Sequence, residues 1–284
     1  MSKIAIVTDS TADLSPDLVA AHGITVVPLN VHFHEEVFKD GIDIDTDSFF
    51  AKLKDSTVPP RTSQPSPGDF HKVYKTLLGS GYDAIISIHI SKELSGTFQS
   101  ATIAKSMLPE ENIHIVNSKS ASMGLGVIVL KTAELVAAGA TVEDAVAKAE
   151  HYSNSQMIIF AVDTLEYLHR NGRIGRAAKL IGSLLSVKPM LTVDSDGFVA
   201  PLGKVRGQAK VIPFLVEEAK RFLEDYNGKI DIAVLHGQEP KLAEEIKQLL
   251  QKELPVEKAY ISDIGSVIGT HTGPGVVGTI IQKH

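Results

Sequence analysis

Residues 84–101 read AIISIHISKELSGTFQSA, and this stretch decides the fold. Its first five residues are apolar except for Ser87, which predicts a buried strand of a parallel sheet, and the residues after Thr97 predict a helix. Hydroxyls and bare amides at the carboxyl end of such a strand point into the crevice where α/β proteins hold ligands. The start of the helix adds partial positive charge and N–H groups without partners. Ser95, which lies at this junction, is therefore suited to hold a small anionic group.

Strands and helices alternate along the first half of the chain. Apolar strands are predicted at 4–7, 84–88 and 112–116. Because strands that alternate with helices form right-handed βαβ units, we expect a parallel sheet here.

The pattern changes in the second half. A hairpin sequence, DSDG at 194–197, and several further strands indicate a mixed layer. We predict an α/β protein with two domains. Residues 1–155 form a parallel, Rossmann-like βαβ domain, and residues 156–284 form a mixed α/β sandwich with a largely antiparallel sheet. We expect the ligand site between them.

Composition excludes several classes of function. The chain has 284 residues, a net charge of −6 and no cysteine, so disulfides, thiolate catalysis and cysteine zinc sites are excluded. The negative charge argues against a nucleic-acid surface, because phosphate binding needs clustered Lys and Arg. The first apolar run is too short for a signal peptide, and no run approaches the roughly 18 apolar residues of a membrane span. We expect a cytoplasmic protein.

The usual enzyme motifs do not occur. The first turn, Thr8–Thr11, has no glycine for a dinucleotide, and a Walker loop is absent. Ser95 lacks the preceding glycine of a nucleophile elbow. His32 and His34 lie on a predicted hairpin, where a solvated face is favoured over a metal site. We predict neither a metal nor a cofactor.

Four hydroxyl-rich segments remain, namely Thr8–Thr11, Thr62–Ser63, Ser95–Thr97 and Asn117–Ser118. Any one of them alone is explained by helix capping. If all four meet at one edge of one sheet, a binding crevice becomes a competing interpretation. His271 and the arginines Arg170, Arg173 and Arg176 come from the second half. In one interpretation, His271 is an ordinary loop histidine and the arginines form a solvated basic turn. In the other, these side chains are further contacts to the ligand.

Local sequence also predicts several finer features. Four prolines make residues 57–68 a stiff, irregular loop. An apolar helix is expected over 177–186 and a glycine loop over 268–275. Gly124 and Gly126, inside a predicted helix, indicate close packing.

An ordered set of short motifs covers the chain: VTDSTADL at 7–14, RTSQP at 61–65, LSGT at 94–97, VNS at 116–118, GRI at 172–174, KP at 188–189 and GTHTGPG at 269–275. In this order they resemble the DegV family, bacterial fatty-acid-binding proteins that include the FakB subunits of fatty acid kinase. The chain departs from the family at Asn117, often Asp, and at Asn171, usually Gly.

The resemblance implies one long-chain fatty acid, such as palmitate, between two α/β domains. It implies that Thr62, Ser95 and Gly96 contact the carboxylate, and that His271 lies near this head group. Arg173 would lie near the entrance or a partner surface, and Arg170 is a second candidate for contacts to phosphate or a partner.

Hydrogen bonds from such hydroxyls and from the helix start would offset the cost of burying a carboxylate. The acyl chain would add about 0.8 kcal/mol per buried methylene. Candidate wall residues are Leu125, Ile128, Val129, Leu180, Leu184 and Leu185, although plain core is the favoured interpretation of these positions.

Three functions stay open. In the first, a non-catalytic carrier in fatty acid metabolism or lipid transport presents its ligand to an ATP-dependent kinase subunit, with transient membrane contact. In the second, Ser95 serves a hydrolase or phosphotransferase, which requires a base such as His89 or His271 beside it. In the third, the crevice holds a small polyol or sugar, which requires a more polar pocket.

Overall fold

The computed structural model describes residues 2–109, 112–182 and 187–284. The strands are β1 (Ile4–Asp9), β2 (Thr25–Val27), β3 (Asn30–Phe33), β4 (Glu36–Lys39), β5 (Arg61–Ser63), β6 (Ala84–His89), β7 (Ile113–Asn117), β8 (Gln156–Ala161), β9 (Lys188–Val193), β10 (Val199–Val205), β11 (Ile230–His236), β12 (Val256–Asp263) and β13 (Val277–Lys283). The α-helices are α1 (Pro16–Ala21), α2 (Thr46–Asp55), α3 (Pro67–Gly79), α4 (Thr97–Ser106), α5 (Met123–Ala137), α6 (Val142–Asn154), α7 (Glu166–Arg170), α8 (Val211–Phe222), α9 (Pro240–Glu253) and α10 (Ser266–Thr272). Short 3-10 helices span Ser10–Ala12, Gly175–Leu180 and Gln208–Lys210.

The first sheet is parallel throughout and has the strand order β2-β1-β6-β7. Every residue of β6 is buried, because helices cover both faces of a sheet built from βαβ units. This confirms the parallel α/β layer predicted from the strand before Ser95.

The second sheet has the order β10-β9-β8-β13-β11-β12. All of its pairings are antiparallel except β11 with β12. The predicted mixed, largely antiparallel layer is therefore confirmed. The domain boundary between residues 155 and 156 stays a prediction. The largest buried cluster contains side chains from both sides of it, such as Ile128 and Leu235.

A third sheet, β4-β3-β5, was not expected from the sequence. The stretch Arg61–Ser63 lies between prolines and keeps its own N–H groups, so it can pair with the β3–β4 hairpin. The pairing sets Thr62 opposite Val31. The prediction of an irregular loop over 57–68 is therefore wrong for Arg61–Ser63.

The predicted glycine loop at 268–275 is also wrong, because α10 continues to Thr272. Gly269 lies inside this helix, where a Cβ atom would come within 2.6 Å of the Phe49 ring. The missing side chain of Gly269 therefore allows α10 to approach α2 closely. The helix ends at Gly273, whose φ of 75° suits glycine.

The apolar helix predicted from residue 177 onward is wrong where the structure describes it, because the 3-10 helix Gly175–Leu180 ends there and the backbone is extended at Ile181. Residues 183–186 of the prediction lie outside the described residues. Leu180 is partly buried against the core. Leu184 and Leu185 lie outside the described residues.

Helix α5 is buried along most of its length. A Cβ atom at Gly126 would lie 2.6 Å from the carbonyl oxygen of Ala12, and one at Gly124 would collide with Ser120. The predicted close packing is confirmed. Over the described ranges, we find no helix with both the length and the apolar character to cross a membrane.

Candidate functional site

Thr62 and His271 meet at the junction of the two halves. Thr62 lies on β5, an edge strand of the third sheet, and His271 lies on α10. Thr62 Oγ1 lies 2.9 Å from His271 Nε2, which is hydrogen-bonding distance. A residue of the proline-rich segment and a residue of the final helix therefore form one polar pair.

Ser95 lies where the sequence predicts, in the loop between β6 and α4. Its hydroxyl lies 2.9 Å from Thr97 Oγ1, and the Thr97 N–H donates to Ser95 Oγ at 3.3 Å. Gly96 is the N-cap of α4. The structure thus brings Ser95 and Gly96 to the start of a helix, as the strand-to-helix pattern indicates.

Gln64 is a site residue that the sequence reasoning did not single out. Its side-chain amide lies against Gly96, where an added Cβ would approach Gln64 Nε2 to 2.8 Å. Its spacing could have indicated this position, because Gln64 is two residues after Thr62 and alternate residues of an extended chain face the same side.

A cavity connects these residues. The space among them that protein atoms leave unfilled is about 860 Å³, which includes space open to solvent. Its polar lining residues are Thr62, Gln64, Ser95, Ser122, Arg173, His271 and Thr272. Its apolar lining residues are Leu29, Ile90, Leu94, Ala121, Ile158, Phe160, Leu168, Val193, Val199, Leu235, Val267, Ile268 and Val276. A mostly apolar cavity with a few convergent polar groups is typical of a small-molecule site.

The His271 ring is uncharged at neutral pH. Burial, together with the positive charge of Arg173, lowers the pKa of His271 to about 3. Its Nδ1 atom is buried and has no hydrogen-bond partner among the described residues. An unpaired buried polar atom costs roughly 1–3 kcal/mol, and when Nε2 carries the ring proton, Nδ1 can be satisfied only by a hydrogen-bond donor.

The three predicted arginines occupy different environments, and Arg176 forms ion pairs with Asp194 and Asp196. Arg173 lines the cavity, with Nε donating to the Leu94 carbonyl at 3.1 Å and Nη1 donating to the Asn171 carbonyl at 2.8 Å. Arg170 is exposed and forms an ion pair with Glu166. Of Arg170 and Arg173, it is Arg173 that lines the cavity.

The unusual Asn171 is accommodated without strain. Its φ is −91°, while the left-handed position is taken by Gly172 with φ of 69°. The Asn171 side chain donates to the Thr270 carbonyl at 3.1 Å and so links the basic turn to α10.

Two of the hydroxyl-rich segments serve the local backbone instead. Thr8 Oγ1 donates to the Ile88 carbonyl, and Asn117 Oδ1 accepts from the N–H groups of Lys92 and Lys119. Neither segment lines the cavity. In the first segment Asp9 caps the 3-10 helix Ser10–Ala12 by accepting from the Thr11 N–H, and in the second Asn117 holds loop N–H groups, so a structural role accounts for both.

Within the described residues, neither of the two candidate bases, His89 and His271, is hydrogen-bonded to Ser95. His89 is completely buried and bonds to Asp9 and Ser87, while His271 Nε2 bonds to Thr62. The recorded hydrogen bonds of Ser95 Oγ are with Thr97.

His32, of the histidine pair on the β3–β4 hairpin, bonds within its own sheet. His32 Nε2 bonds to Ser63 Oγ at 2.9 Å. Across residues 2–109, 112–182 and 187–284, no cluster of three or more His, Asp or Glu side chains is suited to hold a metal ion.

The candidate wall residues on α5 belong to the core. Leu125, Ile128 and Val129 are fully buried and do not line the cavity. The favoured interpretation of these three as plain core is confirmed. The actual wall comes from strand ends and loops, such as Ile90 and Val199.

Comparison with known proteins agrees with the motif order. The model of the DegV family, whose members it describes as uncharacterised, matches residues 3–284. A DegV domain-containing protein of Streptomyces coelicolor is 40% identical over 283 residues, which is 99% of this chain and 98% of that protein.

Solved structures resemble the whole fold. A fatty-acid-binding DegV family protein from Thermus thermophilus has a TM-score of 0.94 and 36% identity, over 99% of this chain and 100% of that one. A stearic acid-binding protein from Eubacterium ventriosum has a TM-score of 0.92 and 29% identity, over 100% of this chain and 98% of that one. From these matches and the family model, we conclude that the chain belongs to the DegV family.

Proposed function

We propose that this protein binds a long-chain fatty acid, such as palmitate, in the cavity between its two halves, and that Thr62 and Ser95 hold the carboxylate beside Gly96 and His271. The observation that carries the proposal is that Thr62, Ser95 and His271 line one mostly apolar cavity, where Thr62 and His271 are hydrogen-bonded. The descriptions of the Thermus and Eubacterium proteins as fatty-acid-binding support it.

The chemistry of the head group follows from the neutral His271. If the Nε2–H of His271 donates to Thr62 Oγ1, the Thr62 hydroxyl proton is free to donate to a carboxylate oxygen. Ser95 Oγ supplies a second donor. A hydrogen bond to a charged group contributes about 1.5–3 kcal/mol, and two of them offset much of the several kcal/mol that an unpaired carboxylate would cost here.

The acyl chain supplies the larger part of the affinity. Side chains such as Phe160, Leu235 and Val276 line the cavity, and each buried methylene contributes about 0.8 kcal/mol. A small polyol would leave this wall without contacts, so the lining favours a fatty acid over a sugar.

We further propose that the protein is a carrier and not an enzyme. It presents the carboxylate to an ATP-dependent kinase subunit, where a carboxylate oxygen attacks the γ-phosphorus of ATP and ADP leaves. Arg173 would face the resulting acyl phosphate, and the exposed Arg170 would contact the partner. Loading and release would need transient contact with a membrane, and the setting would be the cytoplasm.

Among the described residues, Ser95 Oγ bonds to Thr97 and not to a histidine, which favours the carrier over the hydrolase alternative. Ester hydrolysis that disappears in Ser95→Ala would nevertheless establish it.

Native mass spectrometry of the freshly purified protein tests the binding proposal. We expect an added mass that corresponds to one fatty acid and is lost on delipidation, and reloading when palmitate or oleate is supplied. Competition with glycerol gives a matched control, since a polyol site would release its ligand under those conditions. A protein that carries no lipid and takes none up contradicts the proposal.

A further inference from the structure

Two buried carboxyl groups of the first half hold the start of α10, the helix that carries His271. The N–H of Gly265 donates to Asp13 Oδ1 at 3.0 Å, and the N–H of Ser266 donates to Asp40 Oδ1 at 3.1 Å. Asp13 is 8% exposed and Asp40 is 5% exposed. Both contacts cross between the two halves of the chain, over more than two hundred residues of sequence.

The contacts are tight as well as buried. Ser266 Oγ also donates to Asp40 Oδ1, at 2.5 Å. A Cβ atom on Gly265 would lie 2.7 Å from Asp13 Oδ1, so only glycine lets the backbone approach the carboxyl group this closely. The start of α10 is therefore set by two side chains that come from outside its own half.

Asp13 also contacts the cavity wall. Ser122, which lines the cavity, donates from Oγ to Asp13 Oδ2 at 2.5 Å. Ser122 has a φ of 52°, an uncommon value for a residue with a side chain. Because the Ser122 hydroxyl donates to Asp13, it needs no hydrogen-bond acceptor from the cavity. A single carboxyl group thus connects the wall of the cavity with the helix of the head group.

We propose that Asp13 and Asp40 are positioning residues of the head-group site, which hold α10 where His271 reaches Thr62. The proposal rests on the proposed fatty-acid site. Because a helix is a stiff unit, a shift at Ser266 is transmitted to His271 little more than one turn later. A small displacement there breaks the 2.9 Å contact between His271 Nε2 and Thr62 Oγ1.

Asparagine and alanine at position 13 separate geometry from charge. In Asp13→Asn the amide oxygen can still accept from Gly265, and the amide N–H can donate to Ser122 Oγ. In Asp13→Ala both bonds are lost. We expect Asp13→Ala to raise the Kd for palmitate about tenfold, which equals the loss of one good hydrogen bond, and Asp13→Asn to restore it to near the wild-type value.

Asp231 provides the matched control. It is 1% exposed and also joins the two halves, by accepting from Lys131 Nζ at 2.9 Å, but it does not contact α10 or the cavity. We expect Asp231→Ala to lower Tm while it leaves the Kd for palmitate unchanged. An equal rise in Kd in both alanine variants would reduce Asp13 to a general stability residue and overturn the proposal.

The ring-nitrogen NMR signals of His271 give a readout that does not depend on ligand. They are expected to move in Asp13→Ala, and to stay in place in Asp13→Asn and Asp231→Ala, in the delipidated protein. If the wild type bound no fatty acid, the proposed function would fail, while these signals would still test whether Asp13 positions α10. If Kd and the His271 signals were both unchanged in a folded Asp13→Ala, the positioning role of Asp13 would fail by itself.

Ser266→Ala covers the case in which Asp13→Ala does not fold. It removes only the hydroxyl bond to Asp40 and leaves the backbone contacts in place. We expect it to raise the Kd for palmitate about threefold, which corresponds to part of one hydrogen bond, and to shift the His271 signals. Unchanged values for both would overturn the proposal.

Discussion

Thr62 Oγ1 and His271 Nε2 lie 2.9 Å apart, although 209 positions separate the two residues in the chain. The first belongs to a short strand of an accessory sheet and the second to the last helix. Their contact depends on how the two halves are packed, and the properties of the polar end of the cavity follow from it.

Removing the Thr62 hydroxyl is expected to weaken fatty acid binding. Thr62→Val keeps the shape and β propensity of the side chain but loses a donor to the carboxylate, which corresponds to about 1.5–3 kcal/mol, or ten- to a hundredfold in Kd. Ser63→Ala is the matched control, because Ser63 Oγ bonds to His32 and Asn30 and does not line the cavity. Titration calorimetry with palmitate measures both, and equal affinities for Thr62→Val and Ser63→Ala would contradict the assigned role.

His271 makes folding stability depend on pH. Since its pKa is lowered from 6.5 to about 3 in the folded protein, the unfolded chain binds a proton in that interval that the folded protein does not. Its contribution to stability is therefore present at neutral pH and decreases as the pH falls, by up to about 1.4 kcal/mol per pH unit. Urea unfolding of the wild type and of His271→Gln at pH 7, 6 and 5 checks this. The stability advantage of the wild type should shrink with decreasing pH, and a constant difference would contradict the neutral buried ring.

Asp13 changes folding stability with pH in the opposite direction to His271. Burial raises the pKa of the Asp13 carboxyl well above 3.8, so the folded protein keeps a proton that the unfolded chain releases. Its stabilisation is present at low pH and is lost as the pH rises through the raised pKa. Asp13→Asn cannot ionise, so its stability relative to the wild type should increase between pH 4 and pH 7. Urea unfolding at these two values measures the change, and a relative stability that decreased would show that the carboxyl is ionised in the fold.

Gly269 controls the distance between α10 and α2. In Gly269→Ala the new methyl group would lie 2.6 Å from the Phe49 ring, and overpacking of this kind costs about 1–3 kcal/mol. We also expect weaker palmitate binding, because α10 carries His271. Gly79→Ala, at the end of α3 with nothing within 4 Å, should leave stability equal or slightly higher. Thermal unfolding and a binding titration distinguish the two, and a neutral Gly269→Ala would mean that the Phe49 ring moves aside freely.

Arg173 contributes to the low pKa of His271, after burial. Arg173→Gln should therefore raise the pKa of His271 while leaving it below 6.5, since the larger cause remains. Arg170→Gln is the matched control, because Arg170 is exposed and pairs with Glu166. Titration of the His271 NMR signals measures both variants. A pKa unchanged by Arg173→Gln, or moved equally by Arg170→Gln, would contradict a direct effect of Arg173.

Much of the fold could be predicted from local patterns. The parallel strands are short apolar runs, the hairpin at 194–197 has its turn residues, and the glycines of α5 mark close packing. These features depend on neighbouring residues and on periodicity, which a single sequence displays directly. The same holds for Ser95, whose place between a strand and a helix is a local property.

Other elements depend on contacts that local sequence does not contain. A glycine-rich segment is a weak helix former, yet α10 is helical because it packs on Phe49 and starts at two carboxyl groups of the other half. Likewise β5 is a strand because a hairpin edge lies beside it. In both cases tertiary packing outweighs intrinsic propensity.

The amino-acid sequence by itself thus determined the two layers, the hydroxyls at the strand end and the ordered motifs of the family. Only the tertiary structure decided that Thr62 meets His271, that Gln64 joins the site, and that Arg173 lines the cavity while Arg170 does not. The physical reason is that side-chain chemistry and periodicity are local, whereas the distance between side chains in different elements is set by how buried surfaces of the whole molecule fit together.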